Sequence, residues 1–265
     1  MLPLLTRFTL LLTLSLGLLA AEPAAPARKV LLVVTSHAVL GSTGYPTGVW
    51  LTEVAHPWQE LVQAGFQVDI ASPKGGATPI DPYSDPNTPV GMTKQDLLAW
   101  GFLANPATRQ ALATTTPLAQ VDPTAYEAIV VAGGNGAIFD LGKEPALQRL
   151  IARLWADGKV VATLCHGTAA LLDVTLADGS HLIAGKRITG FSNAEEAIAQ
   201  KAIGAEYLPY YIETETGKRG ATFACGAPFQ PFTVTDGGGR LITGQQNFSG
   251  HAVGRLVVAA LNKGR

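Results

Sequence analysis

Three unbroken apolar, β-branched runs stand out along the chain: Lys29-Val30-Leu31-Leu32-Val33-Val34-Thr35, Ala128-Ile129-Val130-Val131 and Lys159-Val160-Val161-Ala162-Thr163-Leu164. A strand wet on one face alternates apolar and polar residues, so runs without alternation predict strands covered on both faces. Between them the apolar spacing becomes helical. Trp58, Leu61 and Val62 precede Gly65, and Leu147, Leu150, Ile151 and Leu154 precede Gly158, the pattern of amphipathic helices closed by glycine. Buried strands alternating with helices predict an α/β fold: a mostly parallel central sheet with helices on both faces, a flavodoxin-like three-layer sandwich. Thr233-Val234-Thr235 and Arg240-Leu241-Ile242-Thr243, joined by Asp236-Gly237-Gly238-Gly239, predict a late hairpin, and a last helix is expected from about Ser249 to Leu261. Ser72 to Pro89 is rich in Pro, Gly, Asp and Ser and predicts a long surface loop.

The first residues break the pattern. Arg7, an apolar run from Phe8 to Leu19 and the pair Ala20-Ala21 have the order of a secretory signal peptide over 1–21, and the run is short for a bilayer span. This predicts a periplasmic or secreted protein, a flexible linker at 22–28, a single domain over 29–265 and no stable membrane insertion once the leader is removed. Composition adds exclusions. With 47% hydrophobic and 15% charged residues the chain is built for a core, not for disorder. Nineteen basic against 20 acidic residues give a formal net charge of −1, which offers nucleic acid no general attraction.

The richest chemistry lies in Leu164-Cys165-His166-Gly167, where a buried strand meets a small-residue helix starting near Gly167. A sharp strand-to-helix turn lifts a nucleophile out at the carboxyl end of the sheet. Beside an imidazole and a helix N-terminus the Cys165 thiol is expected to ionise more readily than usual. A buried structural cysteine is the bland alternative. Gly133-Gly134-Asn135-Gly136, after the second strand, could turn backbone N–H groups into the same crevice as an oxyanion or substrate-binding site, together with the N–H of His166. The spacing is neither a dinucleotide fingerprint nor a P-loop.

These segments, with Gly185-Lys186-Arg187-Ile188-Thr189-Gly190-Phe191-Ser192-Asn193-Ala194-Glu195-Glu196, Glu53 before His56-Pro57, Asp81-Pro82 and Leu241-Ile242-Thr243-Gly244-Gln245-Gln246-Asn247, resemble the ThiJ/PfpI superfamily. The likeness is to the branch of glyoxalase III and heat-shock-31-like chaperones. It implies a class I glutamine amidotransferase-like fold and a lyase of the glyoxalase III, D-lactate dehydratase type. Such an enzyme converts a small carbonyl substrate such as methylglyoxal to a 2-hydroxy acid without glutathione, cofactor or metal. It also implies Cys165 as nucleophile, His166 as catalytic histidine, Glu196 as its acidic partner with Glu195 the secondary candidate, Glu53 approaching from an early helix, and a possible homodimer. A solvated helix acid is the alternative reading of Glu53. The branch carries a histidine where this chain has Asn135. Other functions stay open: a holdase chaperone or stress-response protein with a redox-sensing cysteine, or a cysteine hydrolase for amides or esters, for which Asp236 and His251 supply another triad order. His37, His56, His181 and His251 show no ligand spacing. Cys225 is read as a small buried residue able to pair with Cys165, and Trp50, Trp58, Trp100 and Trp155 as packing residues.

Overall fold

A computed structural model describes residues 28–263. The leader assigned to 1–21 lies outside the described residues, as does all of the 22–28 linker except Arg28. Arg28 is tied down rather than loose: its Nε donates to Glu127 Oε2 at 2.7 Å and an Nη to the carbonyl of Leu261 at 2.8 Å.

The chain runs β1 (Lys29–Val33), α1 (Leu51–Gln63), β2 (Gln67–Ser72), α2 (Leu97–Ala104), α3 (Pro106–Ala113), β3 (Thr116–Pro117), β4 (Ala128–Val131), α4 (Ala137–Asp140), α5 (Pro145–Ala156) and β5 (Val160–Leu164). It continues through β6 (Arg187–Ile188), α6 (Asn193–Ile203), α7 (Ile212–Lys218), β7 (Thr222–Phe223), β8 (Thr233–Asp236), β9 (Leu241–Gly244) and α8 (Gly250–Asn262). Seven strands form one sheet in the order β3-β2-β1-β4-β5-β9-β8, parallel throughout except for the β8–β9 hairpin.

The unbroken apolar runs follow from coverage of both faces. Along β1, Leu31 and Val33 pack with α5 residues such as Leu147, Ile151 and Leu154, whereas Val30 faces Leu61, Val253 and Val257 of α1 and α8. Leu32 joins Leu51, Val54 and Phe102 on that second side. β4 and β5 divide their side chains likewise, so all of their residues are buried. Strand order reverses around β1, and a crevice opens beyond the carboxyl ends of the strands at such a point.

The segment between Ser72 and Leu97 differs from a plain surface loop. Asp81, Ser84 and Thr93 are buried in it. The Ser84 hydroxyl accepts from Leu51 N at 2.9 Å, a bridge pairs Val49 with Ile80, and Thr93 Oγ1 donates to Ser84 O at 2.6 Å. A loop can be buried when its polar groups are satisfied this way, and here it folds over the start of α1 and walls the crevice.

Candidate active site

Cys165 stands at the carboxyl end of β5 in a left-handed backbone conformation, φ 56°, that a non-glycine residue rarely adopts. Such a position costs on the order of 1–3 kcal/mol and is held only by its surroundings. The helix that follows begins at Cys165 itself rather than near Gly167, as a tight 3₁₀ turn over Cys165–Leu171. Gly167 is required by proximity: a Cβ there would lie 2.5 Å from the carbonyl oxygen of Val131.

Four side chains meet at this turn. Cys165 Sγ lies 3.4 Å from His166 Nδ1, and His166 Nε2 donates to Glu196 Oε1 at 2.8 Å. Glu53, in the first turn of α1, is 0% exposed and faces Cys165, with its Oε1 buried and unpartnered. Its Oε2 accepts from the N–H of Gly133 at 2.8 Å. A side chain at Gly133 would meet Glu53 Oε2 and His166 N at 2.8 Å each, so glycine allows α1, β4 and the cysteine turn to converge. The imidazole of His166 stacks on Phe191 at 4.6 Å between ring centres.

Burial and the neighbouring charges set the protonation states. Loss of solvent pushes Glu53 up from the ordinary 4.5 to about 8, against the pull of the neighbouring Cys165 and of the Gly133 N–H. Burial also pushes the Cys165 thiol well up, and the adjacent Glu53 carboxylate adds to the rise. This reverses the expectation of an easily ionised thiol. At neutral pH the carboxyl and the thiol are therefore both held mainly in their protonated forms. Two N–H groups oppose the rise by pointing at the sulfur, those of Gly134 and His166. Burial depresses His166, but the charge and hydrogen bond of Glu196 outweigh it and hold the imidazole above its ordinary value.

The glycine segment divides its roles more narrowly than expected. Gly133 spends its N–H on Glu53 and Gly136 spends its N–H on the carbonyl of Gly48 at 3.2 Å, so neither is free to bind an oxyanion. Gly134, at φ 90°, is the one member whose N–H reaches the sulfur. Asn135 lines the cavity near the buried Asp81, whose carboxylate accepts from Thr47 Oγ1 at 2.7 Å and from Tyr83 N at 2.9 Å. Glu195 is not the histidine's partner. Its carboxylate accepts from Ser192 in a capping box that opens α6, and from the N–H of Phe229 at 2.8 Å. It thereby pins Phe229, whose φ of 56° is also left-handed, against the cavity.

Further expectations are revised. Asp236 accepts from Arg187 N and His251 Nδ1 donates to Glu60 Oε1 at 2.8 Å, so the hydrolase-type triad does not assemble around Cys165. Cys225 is exposed and free, because it sits on a solvated turn after β7, and Cys165 is unbridged. Trp100 is 39% exposed rather than packed. The scattered histidines are not all solitary: His56 and His251 stack at 4.2 Å, and His56 Nε2 donates to Asp96 Oδ2 at 2.7 Å. Among the described residues no group of three or more His, Cys, Asp or Glu side chains could hold a metal, and no helix is long and apolar enough to cross a membrane.

Cys165, His166 and Glu53 form the floor of a cavity of about 680 Å³. Its walls include residues the sequence did not single out as site residues: Trp50, Tyr83, Met92, Phe191, Tyr207 and Phe229. Their signal is weak in sequence because they come from five separate segments and each is an ordinary core type.

An α/β sandwich with a cysteine–histidine–acid array at the strand-to-helix turn, reached by a glutamate from the first helix, defines the class. Residues 45–246 match the model of the DJ-1/PfpI family, and the chain belongs to that family. It is 32% identical over 239 residues to the glutathione-independent glyoxalase HSP31 of Saccharomyces cerevisiae, covering 88% of this chain and 98% of that one. Among solved structures, it resembles the Rapid Encystment Protein 24 kDa of Francisella tularensis with a TM-score of 0.81 at 30% identity, covering 88% of this chain and 99% of the other. Glyoxalase III from Candida albicans superposes with a TM-score of 0.74 at 30% identity, over 88% of this chain and 97% of that one.

Proposed function

We propose that this protein is a glutathione-independent glyoxalase that converts a 2-oxoaldehyde to a 2-hydroxy acid with Cys165 as nucleophile. The observation that carries the reading is the buried, facing pair of Cys165 and Glu53 on the cavity floor, with the N–H groups of Gly134 and His166 aimed at the sulfur. Relatives bearing the glyoxalase name at about this similarity support it.

In this reading the ionised fraction of Glu53, appreciable near its value of about 8, takes the thiol proton as the sulfur adds to the aldehyde carbon and passes it to the former carbonyl oxygen, giving a hemithioacetal whose oxygen is met by the two N–H groups and freeing the carboxylate again. A base on the cavity floor, Glu53 or His166, removes the carbon-bound hydrogen to give an enediol, and return of a proton to the adjacent carbon leaves a thioester. Water cleaves the thioester, releasing the 2-hydroxy acid and restoring the thiol. One substrate and one water make one product with no net oxidation. A base tuned to about 8 accepts and returns protons near neutral pH, where an ordinary carboxylate is too weak a base. Glu196 holds His166 in orientation and favours its charged form as negative charge develops nearby.

The test is conversion of methylglyoxal in deuterated water without glutathione, followed by proton NMR. The expected product is lactate carrying deuterium at carbon 2, formed by the wild type and lost in Cys165→Ser. Equal turnover by the variant overturns the reading.

A further inference from the structure

The cavity is far larger than a three-carbon aldehyde requires and has two unlike ends. At its floor, Cys165, Glu53, His166 and Asn135 hold the polar and reactive groups. Its throat is mostly apolar: Ile198, Ala199 and Ala202 of α6 line it with Met92 and Phe248, and the polar Gln95, Asp96 and Asn247 share the lining. An amphipathic helix ordinarily buries its apolar stripe in the core, but Ile198 is 49% exposed, Met92 72% and Phe248 56%. These three side chains lie at the mouth and are not consumed by packing. A pocket of about 680 Å³ falls in the range that encloses ligands of drug size, with a few polar groups fixing orientation and an apolar lining supplying affinity.

We infer that the substrate is a 2-oxoaldehyde bearing a long apolar substituent, alkyl or aryl, with its dicarbonyl end on the cavity floor and its chain along the throat beside Ile198 and Ala202. The inference rests on the glyoxalase reading above and deepens it. Placing the two carbonyls at Cys165 and the N–H groups of Gly134 and His166 leaves the substituent on the aldehyde's far carbon only the throat to occupy. Binding there withdraws apolar surface from water on both partners. Each methylene moved out of water is worth about a three- to fourfold step in affinity, so four added methylenes predict on the order of a hundredfold.

The experiment measures two slopes. One is kcat/KM for straight-chain 2-oxoaldehydes from methylglyoxal to heptylglyoxal. The other is the Kd, by calorimetry, of the corresponding 2-hydroxy acids, which need no chemistry to bind. Both are measured on the wild type and on Ile198→Asp. The inference expects kcat/KM and affinity to rise with chain length in the wild type and the slope to flatten in Ile198→Asp, whose charge wets the throat. Ala202→Trp, which fills it, checks the same point where the charged variant fails to fold. If methylglyoxal is converted but both slopes are flat, the long-chain inference is wrong and the glyoxalase reading stands. If no oxoaldehyde is converted while the acids bind with a rising slope, the glyoxalase reading is wrong and the throat's preference stands. No conversion together with a flat binding slope overturns both.

Discussion

Replacing Glu53 by Gln separates the cost of burying an acid from its chemical use. Glu53 is 0% exposed and its proton is released only near pH 8, whereas in the unfolded chain a glutamate releases it near 4.5. Folding therefore takes up a proton between these values, and stability falls as pH rises across the window. Each tenfold in proton affinity is 1.36 kcal/mol, so the wild type carries a penalty on the order of 5 kcal/mol above pH 8 and little below pH 4.5. Gln keeps the oxygen that accepts from Gly133 N–H and cannot ionise. Between pH 5.5 and 8.5 the stability of Glu53→Gln should gain about 3 kcal/mol on the wild type, roughly 10 °C in Tm for a chain of this length. Urea unfolding at several pH values measures it. Turnover should fall by about 10² or more, since the amide cannot move a proton. A stability difference that stays constant with pH would refute the argument, because the acid would then not be neutral inside the fold.

Three more predictions test neighbouring parts. Glu196→Gln removes the charge that offsets burial of His166, so the NMR titration of that imidazole should move below its ordinary range, with turnover reduced by about 10–100-fold. Gly134→Ala places a Cβ against Trp50 N and Gly48 O at a φ of 90° and should lower stability by about 2 kcal/mol or more in thermal unfolding. His56 is depressed chiefly by burial and secondarily by the nearby His251, against the opposing pull of Asp96 and Glu60, so it is neutral when folded and must gain a proton as pH falls below its ordinary 6.5. Stability should drop there, and His56→Gln, which retains a donor for Asp96, should flatten that acid limb.

Much of the scaffold was legible in the chain because burial on two faces leaves a direct trace in composition. β1, β4 and β5 are continuous apolar runs, and α1, α5 and the hairpin carry their own periodicity and turn residues. The meeting of Cys165 with His166 could be read from adjacency and the strand before them. What could not be read was decided by long-range contact. Glu53 lies 80 residues from Gly133, and only the fold shows that its carboxyl is sealed in and that the thiol is therefore pushed up rather than down. Glu195 and Glu196 are neighbours in sequence, but helix geometry sends one back to cap α6 and the other to His166. α6 escaped the periodicity argument because Ile198 and Ala202 face a cavity, not the core. The loop from Ser72 to Leu97 looked solvent-exposed by composition, yet Ser84 and Asp81 consume the backbone donors that composition left unassigned.

The central claim is that the Cys165 sulfur bonds to the substrate carbon during turnover. Rapid acid quenching during methylglyoxal conversion, which preserves a thioester, followed by peptide mass spectrometry, reports it directly when wild type and Cys165→Ser are compared. The account predicts an adduct with the mass of one methylglyoxal on the Cys165 peptide of the wild type and none at residue 165 in the variant, which forms no lactate. Adduct confined to the exposed Cys225, with lactate still forming, would contradict it.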